Sequence, residues 1–557
     1  MGDYYDLGTH SRPVTTRSLE AQLWFDRGLL WTYGFHHEEA VACFEKAAEA
    51  DPECAMAYWG IAYALGPNYN KPWEAFDGDE LVRTVDRTHT AVERAHARAA
   101  RATPVEQALI GALRARYPQA EAAEDCSVWN EAYADAMRGV YQLAPGDPDI
   151  ATLHADALMN LTPWQLWDIT TGRPAEGART TEAKAVLDAA LATGAGAAHP
   201  GILHLYIHLM EMSPTPEQAL TVADRLRDLV PDAGHLRHMP SHLDVLCGDY
   251  RRVVAANSDA IAADEKYRRR AGAMNFYTLY RVHNHHFRIY GAMFLGQARV
   301  ALDSAAELEA AVPEELLRVQ SPPMADWLEG FLAMRVHVLI RFGRWKDILD
   351  LPGPSDPELY AVTTAMRHYA RGVALSATGE VDRAEAEREL FRAAVLRVPE
   401  TRMLFNNTCQ DILAIASAML DGELEYRRGD HASAFAALER SIELDDSLPY
   451  DEPWGWMQPT RHAYGALLLE QGRVEEAEAV YRADLGLDDT LPRPLQHPGN
   501  VWALHGFHEC LLRTGKTGEA ALVAHQLKMA TALADVPIRA SCFCRAEPAG
   551  AADGCCH

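Results

Sequence analysis

The stretch His37-Glu38-Glu39-Ala40-Val41-Ala42-Cys43-Phe44-Glu45-Lys46-Ala47, closed by Asp51-Pro52 and followed by Ala57-Tyr58-Trp59-Gly60, decides how this chain folds. Ala40, Phe44 and Ala47 recur at helical spacing and so share one packing face, and Asp-Pro ends the run because proline cannot continue a helix. A second helix opens at once after it. One such pair is too small to bury its own apolar face, so the pattern demands neighbours of the same kind.

The neighbours are present. Weaker copies of the second helix recur at 216–230, 250–263, 298–312, 383–398, 431–444, 473–485 and 516–530, most of them after a glycine-led turn such as Gly248-Asp249-Tyr250, Gly379-Glu380-Val381 or Gly472-Arg473-Val474. The Ala/Phe/Ala triplet and closing Asp-Pro resemble the tetratricopeptide (TPR) repeat family. That resemblance implies an all-α, right-handed solenoid of helical hairpins with no sheet, its first helices lining a concave groove and its second helices forming the outside. The sequence divides into a lead at 1–19, repeats at 20–200, a histidine-rich centre at 201–295, further repeats at 296–540 and a cysteine-rich tail at 541–557.

Composition suits a folded chain: 48% of the 557 residues are apolar and 24% charged. The formal charge of −27 repels phosphate backbones and anionic lipid surfaces, so neither nucleic acid nor a membrane is an expected partner. The start carries no basic and apolar leader, and six cysteines are scattered singly; a cytoplasmic location is expected.

Histidine is the unusual residue. Nine of the 24 lie between His199 and His286. His204 and His208 stand at i and i+4 and therefore leave one helical face together, with Glu211 further along the same stripe. His238 and His242 repeat the interval 34 residues later, one TPR period on, so four imidazoles are expected to converge. Pro240 falls inside the second run and implies a late helix start or a kink. His235 lies in the same run, and His283 with His286 form an i, i+3 pair on the next first helix. Imidazoles on rigid helices suit Zn, Cu, Fe or Ni. Glu211, Asp244, Asn284 and Tyr206 are the expected outer hydrogen-bond partners of the ligands.

The runs His204–His208, Gly234–His242 and His283–Phe287 also resemble a family of bacterial TPR proteins with His-Leu-Tyr-Ile-His, Gly-His-x-x-His-Met-Pro-Ser-His and His-Asn motifs, as do Ala155–Trp164 and Tyr450–Trp456; the likeness covers most of residues 20–545. The resemblance implies a histidine-ligated groove. Trp164 and Trp454 are expected to wall a pocket and exclude water from it. Cys542 and Cys544, with Cys555, Cys556 and His557, offer soft ligands, which favours copper over zinc or iron.

These features lead to one expected function and two alternatives. The first is a copper-dependent oxidase or oxygenase acting with dioxygen on a small molecule, Glu211 and Tyr206 handling protons. The alternatives are a non-catalytic scaffold holding a peptide or protein in its groove, and a copper storage or delivery protein. No phosphate-binding glycine loop, dinucleotide fingerprint, HExxH run or serine nucleophile elbow is present.

Overall fold

The computed structural model describes residues 4–545. They form an all-α, TPR-like array of helical hairpins. The described residues hold two antiparallel ladders of two residues each, Trp167–Asp168 with Arg173–Pro174 and Met403–Leu404 with Asn407–Thr408, and isolated bridges at Asn68 with Lys71 and Gln320 with Pro323. None of the described helices is long and apolar enough to cross a membrane.

The first hairpin shows why these sequences pair. Helix Leu19–Tyr33 starts at Ser18, whose hydroxyl accepts from the Ala21 N–H at 3.2 Å. It stops at Gly34, and Phe35 turns the chain in the left-handed region with φ 53°. Helix His37–Ala50 then lays Phe44 against both neighbours. A Cβ at Gly28 would lie 2.7 Å from the Phe44 ring, and one at Gly60, in helix Ala55–Leu65, would lie 2.4 Å from it. The aromatic ring thus fills space that two glycines leave open. The same device recurs late in the chain, where the Tyr481 ring of helix Val474–Asp484 sits 2.6 Å from a Cβ built on Gly465 and 2.3 Å from one built on Gly506. Helices appear at all seven positions expected of second-helix copies, the one at 216 beginning as a 3-10 turn, Pro216–Ala219, before helix Leu220–Leu226.

Contacts divide the chain into two compact units. The first comprises residues 4–244, 256–284 and 319–323, the second 245–255, 285–318 and 324–545.

In the first unit, helix Pro200–Glu211 is set in place at its start. His199 caps it by accepting the Ile202 N–H at Nδ1 (3.2 Å), while its Nε2–H donates to Asp149 (3.0 Å). Asp149 also accepts from Tyr33 (2.6 Å), His10 (3.0 Å) and Arg12 (3.0 Å). Burial opposes the Asp149 charge, but the hydrogen bonds from His10 and His199 outweigh it and hold the carboxyl well below its ordinary range. Gly201 permits close approach, since a Cβ there would lie 2.6 Å from Thr152. The next histidine run is broken as Pro240 requires: helix Gly234–His238 and helix Pro240–Leu246 meet at Met239.

Candidate metal centre

The rings of His204, His208 and His235 are buried together in the first unit, and one nitrogen from each lies within 4.8 Å of the others. A metal–imidazole bond is about 2.0–2.1 Å, so two ligands of one ion stand at most about 4 Å apart and the set needs to close by less than about an ångström. His238, His242 and His283 form a second set of the same size and closeness. The i, i+4 pairs therefore do converge as the 34-residue register implies, but as two groups of three. His235 joins the first pair and His283 the second.

Hydrogen bonds decide which ring nitrogen faces inward. His204 Nδ1–H donates to the Tyr33 carbonyl (2.6 Å), and His208 Nδ1–H donates to Glu211 Oε1 (2.9 Å). A neutral imidazole carries one N–H, so Nε2 of each ring presents a lone pair. Among the described residues nothing hydrogen-bonds His204 Nε2, His208 Nε2 or either nitrogen of His235. Buried acceptors left in this state cost stability unless something positive or protic meets them. Burial pushes the His204 pKa down to about 3 and lowers those of His208, His235 and His238, with neighbouring imidazoles adding to the effect in all four. These rings are neutral, which is the form that binds metal.

Glu211 is fully buried and links the two groups, accepting from His208 Nδ1 through one oxygen and from His242 Nδ1 through the other (2.8 Å). It orients imidazoles, as outer-shell carboxylates of metal centres do. His238 is oriented by Asn257 Oδ1 (2.6 Å).

Aromatic rings enclose the site. Phe35 lies 4.4 Å from His204, 5.6 Å from His208 and 5.6 Å from His235, between ring centroids. Tyr69 is 4.9 Å and Trp164 5.7 Å from His208, and Tyr280 is 5.1 Å from His235. Phe35 and Trp164 both hold positive φ, 53° and 60°, uncommon backbone for bulky side chains. Phe35 and Tyr280 also line a cavity of about 410 Å³ that is bounded by His36, His37, Lys71 and Phe276.

Several expected site residues have other partners. The Tyr206 hydroxyl bonds to Asp188 (3.0 Å) and Lys184 (3.4 Å), because two residues from His204 and from His208 is about 200° around a helix. Asp244 pairs with Arg227 (2.7 Å), and Asn284 donates to Asp264 (2.7 Å). His286 belongs to the second unit, where its Nε2 meets the Met457 sulfur (2.9 Å) and its ring packs on Phe331. Trp454 is in that unit too, its indole N–H donating to the Pro494 carbonyl (3.0 Å) and its ring packed on His497 and Tyr290. Cys542 and Cys544 are bonded to each other. Cys555, Cys556 and His557 lie outside the described residues.

Sequence reasoning missed Phe35, Tyr69, Asn257 and the Tyr33 carbonyl. The turn position of Phe35 was the one available signal, a bulky residue directly after the Gly34 helix stop.

His208, Glu211 and His242 meet the same spacing across the two sets, and so does a further cluster, His10, Asp149 and His199. Its carboxylate already accepts from Arg12 and Tyr33 as well as from both histidines, so it serves as the anchor of helix Pro200–Glu211.

Comparison with known proteins agrees on the repeat. Residues 21–54 match the tetratricopeptide repeat family. No curated protein matches the chain. Solved structures similar in outline include a human IFIT1 dimer with m7Gppp-AAAA, at 10% identity over 93% of this chain and 92% of that one with a TM-score of 0.33. Another is Naa15/Naa10 bound to HypK-THB, at 12% identity over 92% of this chain and 70% of that one with a TM-score of 0.20. These likenesses carry no inference about what the present chain binds.

Proposed function

We propose that this protein is a TPR-scaffold metalloprotein that binds copper at His204, His208 and His235 and uses it for oxidative chemistry on a small molecule with dioxygen. The observation that supports it is the inward lone pair on Nε2 of both His204 and His208, fixed by Nδ1 donation to Tyr33 and Glu211 and met by no donor among the described residues. A packing role for these rings would leave those acceptors unsatisfied for no return.

The donor set favours copper. All three inner ligands are imidazoles, and the nearby carboxylate of Glu211 is occupied by ring N–H groups, whereas non-haem iron sites characteristically take a carboxylate directly. Among divalent ions an all-nitrogen site binds Cu(II) more tightly than Zn(II).

Bound copper supplies one-electron exchange with dioxygen and substrate. The protein's own groups do the rest. Tyr33 and Glu211 hold the ligand rings in one tautomer; Phe35, Tyr69 and Trp164 keep bulk water from them. The cavity beside Phe35 and Tyr280 has the size of a small-molecule site and reaches His235 through those two rings. Glu211 positions ligands and Tyr206 stabilises a neighbouring helix, so neither is assigned proton transfer.

A second reading, peptide docking on the repeats, is favoured by the family match at residues 21–54. Elemental analysis of protein from copper-supplemented cells separates the two. The wild type retains copper and a His204→Ala/His208→Ala variant retains less; equal metal in both removes the proposed centre and leaves the scaffold. Oxygen uptake by the loaded wild type, absent from the variant, then distinguishes an oxidase from a copper carrier.

A further inference from the structure

We propose that the centre holds two metal ions, the second bound by His238, His242 and His283 and coupled to the first through the Glu211 carboxylate. This rests on the reading of His204, His208 and His235 as a metal site.

Proton positions in the second set are fixed by its hydrogen bonds. The Ser241 hydroxyl donates its single hydrogen to the His238 carbonyl (2.7 Å), so it accepts from Asn257 Nδ2 (3.0 Å). That contact orients the Asn257 amide and turns Oδ1 toward His238, whose Nδ1–H donates to it (2.6 Å). His242 Nδ1–H donates to Glu211 Oε2 (2.8 Å). Each ring has then placed its one N–H outward, and both Nε2 atoms carry lone pairs. Yet His238 Nε2 and His242 Nε2 stand 2.7 Å apart. With both rings neutral, a shared positive centre, either a proton or a metal ion, reconciles two lone pairs that face each other so closely.

A metal ion fits that role dimensionally. With bonds of about 2.0–2.1 Å, two imidazoles at a right angle on one ion have nitrogens about 2.9 Å apart. His283 supplies a third nitrogen within 4.8 Å of the other two, its ring 4.5 Å from that of His238 between centroids. A carboxylate also lies where two cations would need one. Two cations in a fully buried site need an anion between them, and Glu211 gives one oxygen to a ligand of each set, His208 on one side and His242 on the other. A single proton shared by the two Nε2 atoms is the competing occupant, and metal counting separates it from an ion.

The full-length protein is loaded anaerobically with Cu(I) and copper is counted per chain in four forms, so that metal held by cysteines is common to all. The expected pattern is a loss of one copper in His238→Ala/His242→Ala, a loss of one in His204→Ala/His208→Ala, and a loss of two in the fourfold variant. If the fourfold variant loses one copper, the six histidines share a single ion and the proposal is overturned while the centre stands. If no form loses copper, the underlying reading fails as well. Anomalous diffraction from copper-loaded wild-type crystals needs no variant: two peaks, one in each histidine set, support the pair, and one peak overturns it.

Discussion

Replacing Glu211 with Gln alters one atom's chemistry and almost nothing in size, which makes it a sharp probe of the centre. In the wild type both oxygens accept, from His208 Nδ1 at 2.9 Å and His242 Nδ1 at 2.8 Å. Gln offers one acceptor and one donor. One imidazole must therefore move its proton to Nε2, the nitrogen needed by the ion, or lose its partner. A hydrogen bond to a charged group contributes about 1.5–3 kcal/mol. Loss of an outer-shell partner typically weakens metal affinity about 10–100-fold, equivalent to about 1.4–2.7 kcal/mol. The two estimates agree. The assay is competition with a chromophoric copper chelator, paired with thermal melting of metal-free protein. We expect affinity to fall by about that factor while the metal-free melting temperature moves by less than about 4 °C, because the variant keeps one hydrogen bond and removes a buried charge. Unchanged affinity together with a large loss of metal-free stability would refute the reasoning and make Glu211 a fold-holding residue.

Three further outcomes are expected. Phe35→Ala removes a buried ring that touches three imidazoles and costs about 3–5 kcal/mol in urea denaturation; it also speeds copper extraction by an external chelator, and an unchanged extraction rate would show that the ring covers nothing. Gly60→Ala places a Cβ 2.4 Å from the Phe44 ring and lowers stability by about 1–3 kcal/mol, read from the same titration; a neutral result would mean that Phe44 has room to move. Burial raises the Asp264 pKa from 3.8 to about 7, above its unfolded value, so the folded form retains a proton that the unfolded chain releases and stability falls as pH rises from about 4 to 7. That shift amounts to about 4 kcal/mol, and urea titrations of the wild type and Asp264→Asn across this window should diverge in slope; parallel curves would show that Asp264 does not titrate there.

The repeats were legible because their signal is periodic and local: Ala40, Phe44 and Ala47 mark one face, and Asp51-Pro52 marks a stop. The paired histidines were legible for the same reason, since i, i+4 spacing fixes a shared direction on any helix. Partner choice was not. His283 and His286 are also spaced to share a face, but their environments separate them, one meeting His238 and the other Met457. Tyr206 was drawn into the site by its nearness in sequence, although its position on the helix directs it toward Asp188. Phe35 and the Tyr33 carbonyl come from a hairpin about 170 residues upstream, a distance that no local pattern spans. The carbonyl that takes the Trp454 N–H belongs to Pro494, 40 residues on, and no local spacing indicates it.

The cap on helix Pro200–Glu211 has a consequence for how the centre is built. Its first turn is tied to Asp149, and Asp149 is in turn gripped by His10 and Arg12. The opening residues of the chain thus act as a distant clamp on the angle at which His204 and His208 meet an ion, without approaching it themselves. Loosening that clamp would blur ligand geometry while leaving every ligand present, so damage far from the metal would register as poor affinity with an intact donor inventory.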